Sequence, residues 1–206
     1  YAPVKSKNEI IKVGFLSSDF RKHSVSHFLK DLFLKADRKI IKIFAISTLH
    51  ETKHDTMTEN IKNSVDQWCD VFDKSDMEII RLIKSLNIDV LIDLNGLTGG
   101  NKINVVKNRC APIQISWLGY NNSTGIKNID YLIADKNLIK KDEESLYSEK
   151  ILFLPKIWNA LSKPNELPQI NRLPKITNSP FCYGSFNNFF KISEDVIDIW
   201  SEILRN

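Results

Sequence analysis

The amino-acid sequence predicts an α/β protein built on a parallel sheet with helices on both faces. Two observations carry that expectation. Short apolar runs rich in β-branched residues alternate along the chain with amphipathic segments at helical spacing. The chain also has 206 residues, 42% of them hydrophobic, enough for one good-sized core or for one domain and the start of another.

Residues 11–17 (IKVGFLS) read as the first strand. Apolar Val25, Phe28, Leu29, Leu32 and Phe33 then recur at helical spacing and predict a helix over 25–35. Residues 40–47 (IIKIFAIS) are the second strand, the polar stretch 53–63 a short helix, and 67–72 the third strand. The helix expected over 76–86 (DMEIIRLIKSL) has Ser75 or Asp76 placed to cap it. Residues 88–94 (IDVLIDL) form a buried strand that Asn95 and Gly96 end. Further strands are expected at 113–118 after Pro112, at 131–134, and at 150–154 before Pro155.

Between residues 158 and 180 the composition changes. Pro164, Pro168, Pro174 and Pro180 fall there with few apolar runs, as in a linker. Residues 181–186 (FCYGSF) resume as a strand, and Ser193 caps a helix through Leu204, with Glu194 and Asp195 in the first turn. The expected organisation is a domain over 1–157, a linker over 158–179, and the first strand and helix of a second domain over 180–206. Because the chain stops inside a predicted helix, it reads as a fragment.

Composition removes several classes. The net charge of +4 is mild and its lysines and arginines are interspersed with acids, so the charge reads as a solvated surface rather than a nucleic-acid face. Cys69, Cys110 and Cys182 form no CxxC, which argues against a disulfide framework or zinc site and fits a reducing compartment. No run approaches ~18 consecutive apolar residues, so no membrane partner is expected, and no signal peptide is in view. The paired carboxylates Asp89 and Asp93 lie in an apolar run with no place for a sugar between them, which weakens a glycosidase reading.

In an open α/β sheet, ligands bind beyond the carboxyl ends of the strands. Three loops fall there. Residues 17–27 (SSDFRKHSVSH) lead into a helix amino terminus, where free N–H groups attract anions. His23 lies in that loop and His27 four residues on, with no third ligand that would suggest a metal. His27 reads as a packed helix residue, whereas for His23, at the mouth of the sheet, a packed residue and general-base or hydrogen-bonding work are about equally open. Residues 95–101 (NGLTGGN) match no phosphate-binding glycine motif. A tight turn needing positive φ and a close approach of backbone to substrate are equally open there. Residues 117–125 (WLGYNNSTG) carry Tyr120, an exposed aromatic of the kind that packs on a sugar, though a bland polar loop is as common.

Six motifs follow in order: KVGFLSSDFRKHSVSHFL, DVLIDLNGLTGG, RCAPIQISWLGY, DYLIAD, YSEKILFLP and YGSFNNFFKISEDVIDIWSEIL. Together they cover most of residues 11–204, and the chain resembles the catalytic region of the O-linked N-acetylglucosamine transferase and SPINDLY family, glycosyltransferase family 41. The resemblance implies a Rossmann-like amino-terminal lobe of a two-lobed GT-B enzyme, followed by the first strand and helix of the second lobe. It implies inverting transfer of N-acetylglucosamine from UDP-N-acetylglucosamine to protein serine or threonine, with no metal and no cofactor. Tetratricopeptide repeats elsewhere in the full-length chain and a cytoplasmic location go with it.

The same resemblance assigns residues. His23 matches the family histidine beside the reactive sugar. Lys191 matches a lysine that neutralises charge on the leaving diphosphate. Asn188, where many members have Gln, Leu118 and Gly119, whose backbone lies near the sugar, and Thr98 join the donor side. Tyr120, Thr124 and His27 are acceptor-side candidates. Ser24 replaces the family's proline after the histidine, and Asn121 and Asn122 replace its Pro-Gly turn. The expectation for these 206 residues alone is no catalysis. Transfer of fucose or another sugar, a non-catalytic α/β sugar-binding module, and a piece that mainly mediates interactions are the alternatives.

Overall fold

In the computed structural model, which describes residues 9–161, 169–170 and 183–205, the alternating pattern becomes seven parallel strands. They are β1 (Ile11–Ser17), β2 (Ile41–Ser47), β3 (Gln67–Asp70), β4 (Val90–Asp93), β5 (Ile113–Ser116), β6 (Tyr131–Ala134) and β7 (Lys150–Phe153). Their order is β3-β2-β1-β4-β5-β6-β7. The chain builds outward from β1 in one direction and then returns to build outward from β4 in the other. The carboxyl ends of β1 and β4 therefore flank a topological switch point, where the connections diverge and leave a crevice. Phe15 pairs with Ile92, and Leu16 with Asp93, across that seam.

Strand alternation divides the core between the two faces of the sheet. Phe15 joins Phe20, Leu29, Phe33, Ile43 and Ile92 on one face, beneath α1 (Ser24–Lys35) and α2 (Thr56–Lys62). Leu16 joins Ile46, Ile79, Ile83, Leu91 and Val105 on the other, beneath α3 (Asp76–Ser85) and α4 (Ile103–Val106). Each fully buried Phe, Leu or Ile contributes about 1.5–3 kcal/mol. The helices start where their caps dictate. At α3, Ser75 N–H donates to Glu78 Oε2 (2.8 Å) while Glu78 N–H reaches Ser75 Oγ (3.4 Å), a reciprocal capping box.

The differences from expectation are local. The third, fourth and fifth strands end at Asp70, Asp93 and Ser116, two, one and two residues short of their predicted ends, because the residues beyond turn into loops. α4 and a 3-10 turn at Lys141–Leu146 had no sequence signal. The strand expected over 181–186 does not form at 183–186, and residues 181–182 lie outside the described residues.

The chain divides into two units, Tyr1–Lys163 and Pro164–Asn206. Trp158, placed in the predicted linker, is fastened within the first unit. Its N–H donates to Asp135 Oδ2 (2.8 Å) and its carbonyl accepts from the Trp117 indole N–H (2.8 Å). In the second unit a 3-10 turn, Phe189–Lys191, precedes α5 (Glu194–Arg205). Cys69 and Cys110 are free thiols, and Cys182 lies outside the described residues. Among the described residues no helix is long and apolar enough to cross a membrane.

Candidate active site at the sheet switch point

The loop after β1 is fixed from several sides. Asp19 N–H donates to Ser17 Oγ (2.9 Å), and the Asp19 carbonyl accepts from Ser26 Oγ in the first turn of α1 (2.6 Å). The next carbonyl, of Phe20, accepts from Thr58 Oγ1 on α2 (2.7 Å). These bonds hold Asp19 beside the start of α1, which His23 caps.

Asn95, 2% exposed, joins this loop to the loop after β4. Its Oδ1 accepts from Ser18 N–H (2.9 Å), and its Nδ2 donates to Ser18 Oγ (3.0 Å) and Asp19 Oδ2 (2.9 Å). Asp93 in turn accepts from the N–H groups of Asn95 (3.3 Å) and Gly96 (2.9 Å). Burial pushes the Asp93 carboxyl up to about 6, and these two N–H bonds only partly offset it.

The third loop locks onto the second through glycine. At Gly96 (φ 53°) an added Cβ would sit 2.5 Å from Tyr120 Cβ, and at Gly119 it would sit 2.0 Å from the Leu94 carbonyl oxygen. At Gly100 (φ 75°) it would meet Ser18 Oγ at 2.6 Å. The positive-φ turn reading therefore holds at Gly96 and Gly100, and the close approach is between neighbouring loops. Leu118 has φ 82° and is bridged by the Gly119 N–H to the Trp117 carbonyl (3.1 Å), a strained three-residue turn.

A cavity of about 420 Å³ opens between these loops. Asp19, Arg21, His23 and Ser24 line one side, and Thr98, Gly99 and Gly119 the other. The structure thus brings together His23, Thr98 and Gly119 of the predicted set. The Thr98 hydroxyl donates to the Asn95 carbonyl (2.7 Å), so only its lone pairs are left for the cavity.

The other candidates lie elsewhere. Leu118 is buried on the core side. Tyr120 is half-buried over Gly96 rather than exposed. His27 is exposed on α1, not packed, because it sits on the solvent side between buried Ser26 and Leu29. Thr124 is buried, and both its hydroxyl and its N–H donate to Glu149 Oε1. Asn188 and Lys191 are exposed in the second unit, where Asn188 Oδ1 caps the 3-10 turn by accepting from Phe190 N–H (3.1 Å). Asn188 Nδ2 has no partner among the described residues.

His23 Nδ1 has two loose neighbours, Val25 N–H at 3.4 Å and Asp19 Oδ2 at 3.8 Å. They ask for opposite tautomers, since one needs a lone pair and the other a proton. Arg21 extends one nitrogen to within 3.6 Å of Asp19 Oδ1, while its buried Nε has no partner among the described residues. Asp19, Arg21 and Asn95 were absent from the sequence-based set. Asp19 stands four residues before His23, the only available hint, and Asn95 reads from sequence as nothing more than a turn. Among the described residues, no three His, Cys, Asp or Glu converge to hold a metal.

A seven-stranded Rossmann-like sheet with a polar crevice at its switch point defines the class: an α/β lobe with a ligand site beyond the carboxyl ends of its strands. The family follows from comparison. The chain belongs to glycosyl transferase family 41, whose family model matches residues 1–172. It is 32% identical over 93% of its length to a rice protein named "Probable UDP-N-acetylglucosamine--peptide N-acetylglucosaminyltransferase SPINDLY", of which it covers 21%. It is 27% identical over 70% of its length to the "UDP-N-acetylglucosamine--peptide N-acetylglucosaminyltransferase" of Caenorhabditis elegans, covering 13% of that protein. Among solved structures it superposes on a mutant O-GlcNAc transferase of Thermobaculum terrenum with a TM-score of 0.83 and 26% identity, covering 96% of this chain and 37% of that one. The chain spans about a fifth of the length of the plant SPINDLY relatives it matches.

Proposed function

We propose that this chain is the amino-terminal catalytic lobe, with the start of the second lobe, of an inverting glycosyltransferase. The full-length enzyme moves N-acetylglucosamine from UDP-N-acetylglucosamine to serine or threonine hydroxyls of proteins. The observation that carries the reading is His23, which lines the switch-point cavity of a family 41 chain together with Asp19 and Thr98.

In the reaction, the acceptor oxygen attacks the anomeric carbon as the bond to the diphosphate breaks on the opposite face. The hydroxyl proton passes to His23 Nε2, and the leaving group departs as the nucleoside diphosphate. Lys191 and the Nδ2 of Asn188 supply the positive charge and hydrogen bond that the leaving oxygens need, so the chemistry uses no metal and no cofactor. Open space at Gly99 lets the sugar approach the backbone, Gly119 lines the same cavity, and exposed His27 lies on the acceptor side. Tetratricopeptide repeats elsewhere in the full-length chain and a cytoplasmic setting belong to the same reading. Transfer is expected from the full-length protein rather than from these 206 residues.

A donor screen on the full-length protein tests this, scoring hydrolysis and peptide transfer with several nucleotide sugars, a fucosyl donor included. The expected result is turnover of UDP-N-acetylglucosamine that falls at least about 10²-fold in both His23→Ala and Lys191→Ala. A preference for a fucosyl donor would overturn the donor assignment. Undiminished turnover in the variants would overturn the site.

A further inference from the structure

We infer that Asp19 is a positioning residue for His23: its carboxylate keeps the imidazole proton on Nδ1 and leaves the Nε2 lone pair for the crevice. The catalytic consequence rests on the proton-accepting role proposed for His23. The tautomer itself does not.

The carboxylate is built to stay where it is. Asp19 is 8% exposed, and its backbone is tied at both ends, to Ser17 Oγ and to Ser26 Oγ. The second bond fastens Asp19 to the first turn of α1, the helix that begins directly after His23, and so sets the distance between the two side chains. Oδ2 accepts from Asn95 Nδ2 (2.9 Å), and Asn95 is itself anchored twice to Ser18. Arg21 approaches Oδ1 at 3.6 Å.

His23 Nδ1 lies 3.8 Å from Oδ2. A nitrogen lone pair facing a shielded carboxylate at that range is repelled, and an N–H facing it is attracted. The competing contact, Val25 N–H at 3.4 Å, is neutral and long. The Asp19 contact is a charge–dipole interaction rather than a hydrogen bond, but it sets a full charge shielded from water against a peptide dipole, so the carboxylate decides the tautomer. Nε2 hydrogen bonds to nothing among the described residues, and the ring lines the cavity. Asn95, Asp19 and His23 thus form a chain in which a fixed amide orients a carboxylate and the carboxylate orients the base.

The experiment is nitrogen-15 NMR of the His23 imidazole at about pH 9, where an ordinary imidazole is neutral, with the signals assigned by their loss in His23→Ala. The protein is expected to show the proton on Nδ1. Asp19→Asn retains an oxygen for Asn95 and is expected to move the proton to Nε2. A proton on Nε2 in the unsubstituted protein overturns the inference, and that reading stands even if the variant fails to fold. An unchanged tautomer in a folded Asp19→Asn overturns it as well. In the full-length enzyme, Asp19→Asn is expected to lower kcat on the order of 10²-fold with the donor KM unchanged. A raised KM with intact kcat would count against it. Absence of all sugar transfer would sink the proposed function and leave the tautomer measurement to decide this one.

Discussion

Gly119 and Gly99 face the same cavity, yet they tolerate substitution very differently. A Cβ on Gly119 would lie 2.0 Å from the Leu94 carbonyl oxygen, and backbone at the end of β4 cannot move aside without pulling on Asp93 and Asn95. A Cβ on Gly99 meets nothing within 4 Å. Gly119→Ala is therefore expected to cost at least about 3 kcal/mol, and Gly99→Ala less than about 1 kcal/mol. Thermal unfolding of the two variants checks this, and equal melting temperatures would show that the loops are not interlocked. Sequence alone left the glycines of residues 95–101 evenly divided between turn and ligand approach. What it lacked was the partner, since Tyr120 and Ser18 reach Gly96 and Gly100 only through the folded sheet.

Among the elements, those with a long periodic signal were legible. β1, α1, β2 and α3 follow the apolar spacing closely, and Ser75 caps α3 as its sequence suggests. α4 spans four residues, too few to display a period, and Trp117 and Leu118 look like strand residues but turn away at the crevice. The same limit hid Glu149. At 3% exposure, it accepts from Thr124 N–H (2.8 Å), the Thr124 hydroxyl, Ser123 Oγ (2.8 Å) and Ser148 Oγ (3.0 Å). It thereby ties the loop after β5 to the start of β7. Burial works to raise the Glu149 carboxyl, but these hydrogen bonds outweigh it and hold the group below the usual range. Glu149→Ala strands a buried N–H and hydroxyl, and is expected to cost about 2–4 kcal/mol. Urea unfolding should show a lower midpoint at unchanged slope. An unmoved midpoint would mean that water replaces the carboxylate without loss.

Over the whole molecule, these carboxylates set opposing pH dependences. Asp93 has its carboxyl raised from 3.8 to about 6, chiefly by burial, so the folded state holds a proton that the unfolded chain has released. The stability it lends is complete below about pH 4 and is lost as pH rises through about 6. Glu149 and Asp130 run the other way. Burial is again the largest influence, but hydrogen bonds, from Thr124 and Ser123 to the one and from Arg109 and Gln114 to the other, leave both lowered. Their stability is present above the ordinary carboxyl range and lost as pH falls through their folded values. Stability from these three groups is therefore expected to peak at about pH 4 to 4.5 and to fall from there toward about pH 6. Asp93→Asn removes the high-pH loss but keeps an oxygen for only one of the two N–H groups, since Asn95 and Gly96 donate to different carboxylate oxygens. A shift of about two units corresponds to about 3 kcal/mol. More than half of that has already gone at pH 5, so relative to the unsubstituted protein the variant should gain roughly 1 kcal/mol between pH 5 and pH 7, whatever it loses at both from the lost N–H bond. Urea unfolding of both proteins at the two pH values isolates this difference, because every other carboxyl is common to them. Parallel pH profiles would show that Asp93 is ionised throughout, held by its two N–H donors against burial.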